Sequence, residues 1–79
     1  MAPDELRDTL REQPFLPFRL VMTDGVGFDI RHPDLLWIGL RTAYVGLTGE
    51  PTQTYYERSV RIDLDHILRV ERLATNGAA

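Results

Sequence analysis

Cysteine is absent from this 79-residue chain, so neither a disulfide nor a thiolate metal site can reinforce its core. Lysine is absent too, and serine occurs once, at Ser59, inside a predicted strand where a hydroxyl nucleophile has no marked base. No apolar run approaches the roughly 20 residues that a membrane span requires; the longest, Leu35 to Leu40, falls far short. Met1 is followed by Ala2-Pro3-Asp4-Glu5 in place of a basic stretch and an apolar run, so no signal peptide is expected. The expected location is the cytoplasm, with no membrane partner. A shortage of length also matters. A domain this small hides only about 60% of the surface its unfolded chain exposes, so its core is thin.

What is present points to a folded domain. Apolar residues make up 43% of the chain, a normal globular share that argues against intrinsic disorder. Nine arginines face twelve carboxylates, for a net charge of −3. Proteins that grip phosphate backbones without regard to sequence carry a basic excess, so non-specific nucleic-acid binding is not expected.

Residues 3–13 read as a helix. Pro3 suits the first turn, where its missing N–H has no partner to lose. Asp4 and Glu5 complement the positive end of the helix dipole, and Arg7 and Arg11 follow toward the other end. Leu6 and Leu10 are four apart and share a face, and Pro14 ends the run. From Pro17 the period becomes two: Phe18, Leu20 and Met22 face one way, Arg19, Val21 and Thr23 the other. Asp24-Gly25 predicts a tight hairpin, after which Val26, Phe28 and Ile30 continue the alternation, with Gly27 as a candidate bulge. His32-Pro33-Asp34 interrupts the ladder and reads as a corner. Further strands are expected over Leu35–Ile38, Ala43–Leu47, Tyr55–Ile62 and Ile67–Leu73. Thr48 to Thr54 forms a loop, Asp63 to His66 a tight corner, and residues 74–79 a flexible tail. Phe18, Leu20, Phe28, Ile30, Ile62 and Val70 occupy the apolar phases and are the expected core. The fold class is therefore mainly β. One domain spans 1–79, with an N-terminal α-helix and five to six antiparallel strands over 17–73 in a small SH3-like or Sm-like barrel.

Two segments carry a family resemblance. Leu10-Arg11-Glu12 with Phe18 to Gly25 resembles the helix, first strand and Asp-Gly turn of Sm-like proteins, the bacterial Hfq-type RNA chaperones among them. Ile62 to Val70, containing Asp65-His66, is similar to that family's second motif, in which a histidine precedes the last strand. The resemblance implies a barrel, assembly into a ring by edge strands, and RNA contacts near Arg19, Arg61 and His66. This chain departs from the motif at Asp65, where the family has lysine; a carboxylate there repels phosphate. The chain as a whole resembles short bacterial proteins of planctomycete type with Pro-Phe-x-Pro-Phe-Arg and Arg-His-Pro-Asp/Glu segments (here Pro14–Arg19 and Arg31–Asp34), which implies no function.

Candidate chemistry is sparse. His66 with Asp63 and Asp65 could join a nitrogen to hard oxygen ligands. Adjacent residues on an extended chain diverge, however, and the aspartates are the residues that cap turn amides. No cofactor, metal or catalytic group is therefore expected. Trp37, Tyr44, Tyr55 and Tyr56 with Arg41, Arg58 and Arg61 are the mix that stacks single-stranded bases, and equally the mix that builds protein contacts. The expected contact residues are Arg19, His32, Trp37, Tyr55, Tyr56, Arg61 and His66. The function favoured by the sequence is a non-catalytic binding or assembly module, working through strand edges and exposed aromatics, with a homo-oligomer (ring or dimer) and a protein partner. An Sm-like RNA binder and an enzyme of unassigned reaction are the alternatives.

Overall fold

The computed structural model describes residues 1–48 and 57–73. Helix α1 covers Pro3–Leu10, with Pro3 at its first position and Asp4 and Glu5 in its first turn. It stops three residues short of the expected end. Pro14 disfavours helical geometry in the residue before it, and the last bond, from the Glu12 amide to the Thr9 carbonyl, is already of the tighter 3₁₀ type. Six strands follow: β1 (Phe18–Met22), β2 (Gly27–Ile30), β3 (Leu36–Ile38), β4 (Thr42–Leu47), β5 (Arg58–Asp63) and β6 (Ile67–Arg72). They form two three-stranded antiparallel sheets, ordered β2-β1-β6 and β3-β4-β5. The fold is thus mainly β with one short helix, and among the described residues no strand ladder joins the two sheets. None of the described helices is long and apolar enough to cross a membrane.

The β1–β2 hairpin is one residue looser than the Asp-Gly signal predicts. The Met22 amide bonds to the Val26 carbonyl, and the Gly25 amide to the Met22 carbonyl, giving a three-residue loop over Thr23-Asp24-Gly25. Gly25 closes it with φ of +90°, the left-handed geometry that such loops reserve for glycine. The Asp24 carboxylate accepts the Val26 amide at 3.0 Å. Gly27 is not a bulge, since it pairs regularly with Val21. A Cβ at Gly27 would lie 3.0 Å from Cδ of Arg19, so the missing side chain makes room for the arginine. The register shift falls instead between β1 and β6, where Met22 pairs with Ile67 and Val21 with Arg69.

Two 3₁₀ turns carry the chain between the sheets. Pro33–Leu35 links β2 to β3, and Leu64–His66 links β5 to β6. His32, before the proline, is extended with φ −141°, as proline demands of its predecessor. Leu35 belongs to the turn, not to the strand expected there, and is buried. At the second turn the Asp63 carboxylate accepts the Asp65 amide at 3.2 Å, the capping role expected of aspartate at this corner. Strand β5 begins at Arg58, so the expected strand residues Tyr55 and Tyr56 lie outside the described residues, as does most of the Thr48–Thr54 loop and the 74–79 tail. Leu73 lies just beyond β6, its amide bonded to the Pro17 carbonyl.

The core lies between the sheets. Phe18, Leu20 and Ile30 from one and Leu36, Ala43, Val45 and Ile62 from the other are buried, with Leu6 of α1 and Leu64 closing the ends. Four of the six expected core residues, Phe18, Leu20, Ile30 and Ile62, are in this set. Phe28 and Val70 are only half-buried at its margin; Phe28 lines the open cavity beside the hairpin. Val26, in the same apolar phase as Phe28, is exposed at the hairpin tip.

Candidate functional site

Register brings some of the expected contact residues together. Trp37 of β3 stands opposite Tyr44 of β4, and Tyr44 opposite Arg61 of β5. Directly paired residues share one face of a sheet, so an indole, a phenol and a guanidinium form a row across all three strands. Trp37 and Tyr44 are 43% and 47% exposed, far more than aromatics in a core. Neighbouring strands lie about 4.8 Å apart, so the row offers a flat surface about two strand spacings wide.

Arg61 and His66 are both among the residues that line an open cavity of about 310 Å³ between the β1–β2 hairpin and β5. Met22, Phe28, Val60 and Ile62 supply its apolar lining, and Thr23, Asp24, Arg61 and His66 its polar one. The side chains of Arg61 and His66 make no ion pair or hydrogen bond with a described residue, whereas Arg7, Arg19, Arg31, Arg69 and Arg72 are all paired. An arginine, a histidine and an aspartate beside apolar surface can accommodate a polar group attached to an apolar one.

Arg19 lies apart from this pair. It points to the outer face of β1, where the register places it between Asp29 of β2 and Glu71 of β6. Its Nε donates to Asp29 at 2.6 Å, and this hydrogen bond, with the nearby carboxylate charges, raises its pKa. Arg31 reaches the second oxygen of Asp29, and Arg69 donates to Glu71 at 2.7 Å. Three guanidiniums and two carboxylates thus largely neutralise one another along the wall of an open groove of about 700 Å³, with Val21 between them. Sequence reasoning missed the role of Asp29 and Glu71. The available signal was their phase: Arg19, Asp29, Arg69 and Glu71 all occupy outward positions of their strands, and a central outward arginine draws carboxylates from both neighbours.

His32 stands at the start of the first 3₁₀ turn, its carbonyl accepting the Leu35 amide at 3.1 Å; it is half-buried and lines neither cavity. The expected contacts Tyr55 and Tyr56 fall outside the described residues. Asp63 and Asp65 do not converge with His66 on one point: one carboxylate caps the turn, and no described group of three or more His, Asp and Glu residues could hold a metal ion. No protein-family model, curated protein or solved structure matches the chain.

Proposed function

We propose that this chain is a non-catalytic binding and assembly module, an SH3-like or Sm-like small β fold that acts through its strand edges and exposed aromatics and forms a homo-oligomer. One observation carries the proposal. Among the described residues, strands β5 and β6, six residues each, pair on one side only, and neither contains a proline. An outer strand presents a row of N–H and C=O groups ready to pair with another chain. A domain with a thin core gains stability from such contacts by mass action. Multi-angle light scattering on the eluting peak tests it: the expected mass is a multiple of 9.1 kDa, growing with concentration if exchange is fast. A mass fixed at one chain up to millimolar concentration removes assembly from the account.

The Sm-like RNA reading is favoured by one feature, Arg61 and His66 at the cavity beside β5, whose side chains have no ion pair or hydrogen bond among the described residues. Three features oppose it: Arg19 is held by Asp29, Asp65 lies next to His66, and the chain carries a net charge of −3. Weak non-specific binding depends on phosphate neutralisation. Titration of labelled A-rich and U-rich oligomers near physiological salt is therefore expected to give no affinity tighter than roughly micromolar. Submicromolar binding to either oligomer would put the RNA reading first.

A further inference from the structure

From the pattern of charge along β6 we propose that this strand pairs antiparallel with β6 of a second copy, about a two-fold axis through Val70. The inference rests on the assembly reading and names its surface. Arg69 and Glu71 flank Val70 at i and i+2 on the outer face of the strand, opposite Val21 and Arg19 of β1. An antiparallel partner running back past Val70 places its own residue 71 opposite residue 69. Arg69 then faces the partner's Glu71, and the partner's Arg69 faces Glu71, so each guanidinium exchanges or shares the carboxylate that it holds at 2.7 Å within its own strand. A basic and an acidic residue two apart on an edge strand are in this way their own complement. Opposite charges directly across an antiparallel pair are stabilising, like charges destabilising, and the two-fold axis makes every such contact occur twice.

The apolar side chains of the strand agree with this register. Val70, half-buried and on the core side opposite Leu20, meets the partner's Val70 and has its open flank covered. Leu68 is 57% exposed; it comes opposite the partner's Arg72, whose aliphatic stem can lie over it while its guanidinium holds Glu12 and the Leu16 carbonyl. The product is a six-stranded sheet, β2-β1-β6 continued by its symmetry mate. Strand β5 meets the same requirement less well. Arg61 and Asp63 also stand two apart, but the chain turns away at Leu64, one residue beyond Asp63. Strand β6 extends three residues before Val70 and two after it.

Charge exchange tests the register. The parent chain is expected to elute at the mass of two copies. Glu71→Arg, which sets arginine against arginine, and Arg69→Glu, which sets glutamate against glutamate, are each expected to weaken dimerisation by on the order of tenfold or more. The double variant Arg69→Glu/Glu71→Arg restores opposite signs across the axis and is expected to recover the parent's dimer affinity. Circular dichroism of each variant confirms that the fold is kept, since Glu71 also neighbours Arg19. A one-chain mass for the parent overturns this proposal together with the assembly reading. If the parent assembles but the single variants bind as before, or the double variant fails to recover, the β6 pairing is overturned and assembly stands. Pairing of β6 with a neighbour's β5 gives that last result, because the exchange cannot restore a complement to an unchanged strand.

Discussion

Phe18→Ala is expected to unfold this protein at body temperature or bring it close to that point. Phe18 is fully buried in the middle strand of its sheet, between Ile30 on β2 and Arg72 on β6, and it also packs against Phe15, with ring centroids 6.0 Å apart. Removing a buried phenyl ring costs about 3–5 kcal/mol through lost transfer energy and the cavity left behind. A domain of this length is held by about 4–12 kcal/mol in all, so the loss is a large fraction of the total. In a chain of this size each kcal/mol moves the melting point by about 4–8 °C; a thermal melt should fall by more than about 10 °C. A variant melting within a few degrees of the parent would show that the core is not organised around β1. Phe28→Ala is the internal control. The same alternating phase predicts both rings to be core, yet Phe28 is half-buried on an outer strand and its removal should cost clearly less.

Leu6→Ala should have the next largest effect, because it is the one fully buried side chain that α1 contributes. An eight-residue helix is too short to persist alone in water, so its existence depends on that contact. Losing a fully buried leucine costs about 2–5 kcal/mol. With a urea slope of about 1–3 kcal/mol per molar for small proteins, the denaturation midpoint should fall by about 1 M or more. Leu10→Ala, at a half-buried position on the same face, should cost less. A midpoint unmoved by Leu6→Ala would mean that the helix is an ornament on a sheet pair that stands without it.

How far the sequence disclosed this molecule depends on which kind of signal each element left. Alternation made β1 and β2 legible, because a half-buried strand writes its inward face as Phe18, Leu20 and Met22. Proline made the first corner legible, since Pro33 removes a ladder donor and forces His32 to be extended. What alternation cannot report is whether a strand is central or outer. Nor can it report where along a strand the core ends: Phe28 and Val70 looked as buried as Phe18, although both lie at the core's margin. Val21 misleads in the other direction. It occupies the outward phase yet is only 8% exposed, in the wall of the open groove with Arg19 and Arg69. Of the candidate contacts, Arg61 and His66 flank one corner and were already grouped by the sequence, whereas Trp37 and Arg61 are joined through Tyr44 only by pairing register, a relation absent from a linear reading.

The two 3₁₀ corners have a consequence for how the chain is threaded. Strands β3, β4 and β5 are consecutive, so their sheet is made from one uninterrupted stretch and each pairing closes a short loop. The other sheet is split. Phe18 on β1 lies opposite Arg72 on β6, and the entire second sheet is inserted between the two strands. The entropic cost of bringing β6 back to β1 therefore spans most of the chain if the insert is unfolded, and much less once the insert has collapsed and holds its own ends near each other. The contiguous sheet is thus a clamp for the discontinuous one, and a break anywhere from Arg31 to His66 would leave β6 joined to β1 and β2 by non-covalent contacts alone.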